Sequence, residues 1–182
     1  KSVYPNEYLY TMPYSTIAKY DVGKRPSPDW PGKEQSPAIK PLATELIDSV
    51  ENYVKANGLD PMRYNIEIKC RKGKDEGKNW PEYHEFVDKC MELLLSKNLG
   101  DRLVVQCIDP RALNYMHEKY PQVKLSYLIR KMDTDWDTYM GRLNFTPDWL
   151  SPEFVIVDQT MVDNCRKAGI RLVPDRKSTR LN

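Results

Sequence analysis

Hydrophobic and polar positions alternate with two different periods along the chain. After Pro41, apolar residues recur at the three- and four-residue spacing of a helix face, and Asn57-Gly58 supplies a polar stop. Further on, short apolar runs of strand length are separated by amphipathic stretches. These runs predict five strands, at 63–69, 103–108, 123–129, 154–157 and 170–174.

The stretches between the predicted strands have the pattern of helices. One helical face begins at Tyr83 and ends near Asn98-Leu99-Gly100, and Asp109-Pro110 opens the next helix with an N-cap and a first-turn proline. A weaker helix is predicted at 134–143, and a last one ends at Gly169. Strands that alternate with helices predict an α/β fold with a parallel sheet.

Five parallel strands are compatible with two architectures. They can form an open doubly wound sheet, or they can be the last five strands of a closed (β/α)8 barrel. Periodicity does not choose between them. No glycine-rich phosphate loop follows any predicted strand, which removes one usual feature of an open nucleotide-binding sheet.

The two ends of the chain depart from this pattern. Residues 1–41 are rich in tyrosine and proline, and the prolines exclude a long helix or a central strand, so this region is predicted to be an irregular, packed insertion. Residues 175–182 are polar and basic and abandon the apolar pattern directly after the last strand. We therefore expect one partial domain at 1–174 and a tail at 175–182 that is not native to it.

Composition excludes several classes of protein. With 182 residues, 40% hydrophobic content and a formal net charge of +2, the chain has material for one globular core and no broad basic surface for nucleic acid. No apolar run approaches the roughly 20 residues of a membrane-spanning helix. The four cysteines, at positions 70, 90, 107 and 165, lie far apart and show no metal-site motif. We therefore interpret them as isolated buried thiols.

The strand at 64–69 carries the most informative polar residues. Because side chains alternate across a strand, Asn65, Glu67 and Lys69 share one face. In a barrel strand, polar groups this close to the carboxyl end point into the mouth, where active sites are built. Glu67 and Lys69 can compensate each other as an ion pair. The alternative is a metal-binding carboxylate beside a lysine that neutralises phosphate.

Four segments together resemble the glycerophosphodiester phosphodiesterase family of bacteria. The similarity runs from about residue 4 to 174, and the motifs occur in the family's order. They are PLATEL at 41–46, YNIEIK at 64–69, VVQCIDPRAL at 104–113 and YPQVKLSYLI at 120–129. The resemblance implies a (β/α)8 TIM-type barrel that is incomplete here, with about the last five βα units present.

The resemblance also implies a chemistry. Members of the family use one divalent cation, Ca²⁺ or Mg²⁺, to hydrolyse glycerophosphodiesters to glycerol 3-phosphate and an alcohol. The family's motif assigns Glu67 as a metal ligand and Lys69 as a group near the substrate phosphate. Gln106 and Ile108 fall at substrate-binding positions, and Ile108 replaces an aromatic residue that usually lines the pocket. Because of that replacement, the resemblance does not determine the head group of the substrate, and another lipid stays a possible substrate.

Part of the family's pattern is missing from this sequence. Residues 1–41 contain no His-Arg strand end, no acidic metal-binding pair and no second histidine, so no catalytic residue is assigned and the chain by itself is expected to be inactive. His84 and His117 lie in predicted helices, away from the strand ends where barrel catalysis takes place. A catalytically silent module that binds phosphate ligands stays a second possibility.

Two further expectations come from the resemblance. The last strand is expected to be cut within its motif at Pro174. Relatives with a similar Tyr- and Pro-rich insertion are often exported from Gram-negative cells, which favours the periplasm. The sequence does not predict an oligomeric state.

Overall fold

Parallel strands and helices alternate through most of the chain. The computed structural model describes residues 8–26, 28, 31–70, 72–74 and 77–174. The strands are β1 (Tyr64–Glu67), β2 (Leu103–Cys107), β3 (Lys124–Ile129), β4 (Trp149–Pro152) and β5 (Arg171–Leu172). The helices are α1 (Tyr14–Ile17), α2 (Ala43–Ala56), α3 (Tyr83–Leu95), α4 (Pro110–Lys119), α5 (Trp136–Met140) and α6 (Gln159–Ala168). The predicted non-native tail at 175–182 lies outside the described residues.

The five strands form one sheet in the order β1-β2-β3-β4-β5, and every neighbouring pair is parallel. A doubly wound sheet reverses its strand order at a switch point, and none of the described strands does so. Right-handed crossovers are the rule for parallel strands, and between strands in consecutive order they place the connecting helices α3, α4, α5 and α6 on the same side of the sheet. This arrangement is that of a barrel wall, and it confirms the predicted α/β class.

The two faces of the sheet differ in burial near β1, although both are buried further along, where Ser126 and Ser151 lie on the face opposite the helices. The face covered by helices contributes side chains that are at most 2% exposed, namely Ile68, Val105, Cys107, Leu125, Tyr127, Ile129 and Leu150. The opposite face carries Asn65, Glu67 and Gln106, which are exposed or half-buried. Since the hydrophobic core lies between sheet and helices, the other face is available for a polar site.

Most of the helices begin at an acidic cap that directly follows a strand or loop. The Asp109 carboxylate accepts a hydrogen bond from the Arg111 N–H at 3.0 Å, and Asp158 accepts one from the Met161 N–H at 2.7 Å. Helix α6 ends at Gly169, whose φ of +69° is the left-handed conformation that favours glycine. These caps set where each helix starts above the carboxyl edge of the sheet.

The prediction for the fourth strand was wrong. The apolar run at 154–157 was expected to be a strand, but Phe154–Ile156 forms a 3-10 turn, and the strand lies earlier, at Trp149–Pro152. The ladder from β3 explains the shift, because Ile129 pairs with Pro152 and its carbonyl accepts the last hydrogen bond from the Glu153 N–H at 3.0 Å. Beyond that point Val155 is 59% exposed.

Smaller differences concern element lengths. Strand β1 ends at Glu67, two residues before the predicted end, although the Ile68 N–H still donates to the Gln106 carbonyl at 2.9 Å. Strand β5 contains only Arg171 and Leu172, and helix α5 is shorter than predicted. None of the helices within the described ranges combines the length and the apolar character that crossing a membrane requires.

A charged cluster joins α2 to the amino-terminal ends of β1 and β2. The Glu51 carboxylate accepts hydrogen bonds from both terminal nitrogens of Arg102, each at 2.8 Å, and from the Tyr64 hydroxyl at 2.6 Å. The hydrogen bonds from Arg102, and then the one from Tyr64, lower the pKa of Glu51 to about 2. The cluster fixes α2 against the edge of the sheet at the end opposite the polar site.

This cluster predicts an acid-sensitive contribution to stability. A carboxyl group whose pKa is lower in the folded state stabilises the fold above its unfolded pKa, and the contribution disappears as the pH falls toward the folded value. The free energy of unfolding lost in Glu51→Gln, measured by urea denaturation, should therefore shrink between neutral pH and about pH 3. Glu85→Gln, at an exposed Glu85–Lys89 pair on α3, is the control, because an exposed pair contributes about 0–1 kcal/mol to stability.

Candidate functional site at the carboxyl edge of the sheet

Strand β1 places its polar residues as the sequence predicts. Asn65 and Glu67 point to the face opposite the helices, whereas Ile68 is buried at 2% exposure against them. The Glu67 side chain is 27% exposed. Lys69 lies just beyond the end of the strand, and its ammonium group donates to the Glu67 carboxylate. An ion pair between Glu67 and Lys69, one of the two alternatives that the sequence leaves open, is therefore present, and both groups stand at the carboxyl edge of the sheet.

Neighbouring strands extend this polar face. Gln106 pairs in register with Glu67, and its side-chain oxygen accepts a hydrogen bond from the Asn65 amide at 2.9 Å. Ser126 pairs in turn with Gln106. The Ser126 hydroxyl shares a hydrogen bond of 2.8 Å with the hydroxyl of Ser151, and both serines are buried. A continuous row of polar groups thus crosses from β1 to β4.

The two serines were not identified from the sequence. Ser126 has a detectable signal, because it interrupts the apolar run of β3 at the position whose side chain shares a face with Gln106. Ser151 had no usable signal, because the strand that contains it was predicted in the wrong place. The structure brings Glu67, Lys69 and Gln106 together, as expected, and adds this buried pair beside them.

Ile108 lies one residue beyond β2 and is half-buried. Strand alternation places it on the face of Gln106, nearer the carboxyl edge. Asp109, the next residue, is only 7% exposed, and its carboxylate forms an ion pair with Arg111 at 2.6 Å in addition to its capping role. Asp109 is therefore occupied as a structural group, and Ile108 is the apolar neighbour of the polar row.

Both histidines lie on helices, as the sequence predicts. His84, in the first turn of α3, has its Nδ1 2.9 Å from a Glu82 carboxylate oxygen, and its ring lies against Tyr115. His117, near the end of α4, stacks on Phe145 with ring centroids 4.1 Å apart. These contacts place the two imidazoles in the helical layer, behind the sheet from Glu67.

The ligand set for a divalent cation is incomplete in the described part of the chain. Calcium takes six to eight oxygen ligands and magnesium six in octahedral geometry, and carboxylates are the usual anionic ligands. Within residues 8–26, 28, 31–70, 72–74 and 77–174, no group of three or more His, Cys, Asp or Glu side chains is close enough to hold an ion. Glu67 offers one carboxylate, with the amide side chains of Asn65 and Gln106 on the same face.

Solved structures with the same fold include three phosphodiesterases. A candidate glycerophosphoryl diester phosphodiesterase from Silicibacter pomeroyi DSS-3 aligns with 91% of this chain at a TM-score of 0.72 and 18% identity. A candidate glycerophosphodiester phosphodiesterase from Galdieria sulphuraria aligns at a TM-score of 0.61 and 17% identity. An Oleispira antarctica phosphodiesterase, whose structure holds its product sn-glycerol-3-phosphate, aligns at 0.62 and 19%. The alignment with the Galdieria protein covers 90% of this chain, and the alignment with the Oleispira protein covers 92%.

The likeness at these identities shows the fold. The chain spans 57%, 56% and 59% of the lengths of the three solved proteins, so it corresponds to an incomplete (β/α)8 barrel of their kind. Neither a protein-family model nor a curated protein sequence matches the chain.

Proposed function

We propose that this chain supplies the phosphate-binding wall of a glycerophosphodiester phosphodiesterase, which hydrolyses its substrate to glycerol 3-phosphate and an alcohol. The observation that carries the proposal is the position of Glu67 and Lys69, side by side at the carboxyl end of a parallel strand. Active sites of (β/α)8 barrels are built at that end. The three solved proteins described above, which share the fold, are phosphodiesterases, and this supports the same assignment.

The chain's residues have separate roles in this proposal. Glu67 is one ligand of a single Ca²⁺ or Mg²⁺ ion, which when bound polarises a phosphoryl oxygen. Lys69 neutralises charge on the substrate phosphate. Gln106 offers an amide, and Ile108 an apolar contact, to the groups attached to the phosphate. The remaining ligands and the acid and base come from outside the described residues, because these residues hold no group of three or more His, Cys, Asp or Glu side chains that could bind an ion.

Two alternatives follow from particular residues. Ile108 offers a smaller, non-aromatic wall than the family motif, which favours a related diester with another head group, or a lipid, as substrate. The positions of the histidines favour a catalytically silent module that binds phosphate ligands. His84 and His117 both lie in the helical layer, away from the polar face where an acid or base would act. The first alternative keeps hydrolysis of the phosphodiester bond, whereas the second keeps binding alone.

The proposal predicts that glycerol 3-phosphate is the product and that its release requires the complete barrel. The complete enzyme should release glycerol 3-phosphate from glycerophosphodiesters, and a chelator should abolish the release until Ca²⁺ or Mg²⁺ is returned. The 182-residue chain alone should show no turnover, because proton transfer needs a positioned acid and base. An enzyme-coupled assay for glycerol 3-phosphate, run on a panel of diesters and lysophospholipids, measures both.

This assay, run together with a general assay for phosphomonoester release and a binding titration, distinguishes the candidates. Hydrolysis of diesters that lack glycerol, with no release of glycerol 3-phosphate, would replace the substrate assignment with the first alternative. Saturable binding of glycerol 3-phosphate by the complete protein without turnover would support the silent module. Turnover by the 182-residue chain alone would contradict the proposed division of the catalytic groups.

A further inference from the structure

Two amide side chains meet on the polar face of β1 and β2. The Asn65 amide nitrogen donates a hydrogen bond to the Gln106 side-chain oxygen at 2.9 Å. In the ladder Gln106 pairs with Glu67, whereas Asn65 pairs with Val104, two residues nearer the amino-terminal ends of the strands. The hydrogen bond therefore runs diagonally across the two strands, and it draws the Gln106 oxygen back toward the amino-terminal side.

This hydrogen bond determines which atom Gln106 presents to the candidate site. A primary amide has an oxygen that accepts hydrogen bonds and a nitrogen that donates two, and the two atoms diverge from one carbon. Because the oxygen is turned toward Asn65, the nitrogen is turned toward the carboxyl edge of the sheet. Among the residues that the structure describes, none accepts a hydrogen bond from that nitrogen. Gln106 thus offers N–H donors at the edge where Lys69 stands.

The charge beside Gln106 favours the same direction of the amide. Glu67 lies directly opposite Gln106 in register, and the amide nitrogen carries the positive end of the amide dipole. The reverse orientation would bring the negative oxygen end toward the Glu67 carboxylate, which like charges disfavour. Divalent cations such as Ca²⁺ and Mg²⁺ are bound by oxygen atoms, so the nitrogen end that Gln106 presents suits an anion and not a cation.

We propose that Asn65 is a positioning residue, which orients the Gln106 amide so that its N–H groups donate to a non-bridging oxygen of the substrate phosphate beside Lys69. The identity of this anion rests on the proposed function, whereas the direction of the amide does not. Hydrogen bonds to a charged acceptor are stronger than those between neutral groups. Lys69 supplies charge on a flexible stem, and the planar amide adds a fixed direction. Asn65 acts through Gln106 and touches no reacting atom.

Replacing Asn65 with aspartate tests this role. A carboxylate accepts hydrogen bonds and donates none, so in Asn65→Asp the Gln106 nitrogen should turn toward position 65 and its oxygen toward the phosphate. We expect kcat/KM of the complete enzyme for a glycerophosphodiester to fall by about 10–100-fold, the loss of one hydrogen bond to a charged group. The Kd of glycerol 3-phosphate, measured by calorimetry, should rise. Asn65→Ala leaves the amide able to turn either way and should lose less.

A double-mutant cycle separates this effect from that of the added negative charge. Gln106→Met removes the donors and keeps the length of the side chain, so it should lose about as much as Asn65→Asp. The double variant should lose about as much as Gln106→Met alone, because Asn65 then has no amide to orient. Losses that multiply in the double variant would overturn the positioning role. Asn65 is exposed, so Asn65→Asp should melt close to the unsubstituted protein, and a loss of activity that follows a fall in melting midpoint would also overturn it.

Nuclear magnetic resonance tests the direction of the amide without turnover. Glycerol 3-phosphate, added to the ¹⁵N-labelled complete protein, should shift the side-chain NH₂ signals of Gln106, and Asn65→Asp should abolish the shift. A shift of the Asn65 NH₂ signals in place of those of Gln106 would reverse the proposed orientation. Unchanged turnover in Asn65→Asp would overturn the positioning role and leave the proposed function standing. Absence of both turnover and glycerol 3-phosphate binding in the unsubstituted protein would overturn both.

Discussion

Under the proposed function, replacing Glu67 with glutamine in the complete enzyme is expected to weaken metal binding and turnover together, with excess metal restoring part of the rate. Glutamine keeps the size of the side chain but removes the negative charge that hard cations favour. Loss of an outer-shell partner of a metal ligand already costs about 10–100-fold in affinity or activity, so loss of the ligand itself should cost at least that much. Metal titrations followed by the glycerol 3-phosphate assay measure both effects.

Lys69→Met should behave differently, because the lysine is proposed to act on the phosphate rather than on the cation. Loss of one group that stabilises developing charge costs about 10²–10³-fold in kcat. Metal affinity should stay close to that of the unsubstituted enzyme. The two variants therefore separate a metal ligand from a phosphate contact at adjacent positions of one polar row.

The ion-pair interpretation of the same residues predicts another result. Lys69 is 71% exposed in this chain, and an exposed pair contributes about 0–1 kcal/mol to stability. If pairing were the whole role of Glu67, Glu67→Gln would change the melting temperature slightly and leave metal affinity unchanged. That outcome would defeat the metal assignment. Glu85→Gln and Lys89→Met, at the exposed pair on α3, are matched controls that should leave turnover and metal affinity unaltered.

The polar row on β1 was predictable from the sequence because all of its residues lie on one face of a single strand. Alternation alone puts Asn65, Glu67 and Lys69 on one side and the isoleucines on the other. The choice between barrel and open sheet was not predictable from periodicity, since both architectures use the same strands and helices. Pairing order decides it, and pairing order is a property of the assembled sheet.

The fourth strand shows a different reason for failure. Residues 154–157 form a run of large and β-branched side chains, which is the usual local signal of a strand. The actual strand, Trp149–Pro152, is four residues long and ends in proline, so its own pattern is weak. Hydrogen bonding to β3 outweighs local preference here, and it also determines that Ser151 meets Ser126.

Stability measurements can test this placement of β4 directly. Leu150 pairs with Tyr127 and Leu172 and is fully buried, so Leu150→Ala should lower the free energy of unfolding by about 2–5 kcal/mol through lost burial and the cavity it leaves. Val155 is 59% exposed in the turn that follows, so Val155→Ala should change it by no more than about 0.5 kcal/mol. Urea denaturation of the protein and its two variants supplies the comparison.

The two substitutions distinguish two positions of the fourth strand, the observed one at Trp149–Pro152 and the one at 154–157 that the sequence pattern predicts. Each position places a different residue in the hydrophobic core. A strand at 154–157 would alternate its side chains and bury part of that run against the helices, so Val155→Ala or its neighbour Phe154→Ala would carry the large loss. In the structure Phe154 is 41% exposed and belongs to the turn, whereas Leu150 is a helix-facing position of β4 and is fully buried. A large loss at 154 or 155 together with a small one at 150 would reverse the assignment of β4. It would also remove Ser151 from the polar row, because that serine reaches Ser126 only when Leu128 pairs with it in register.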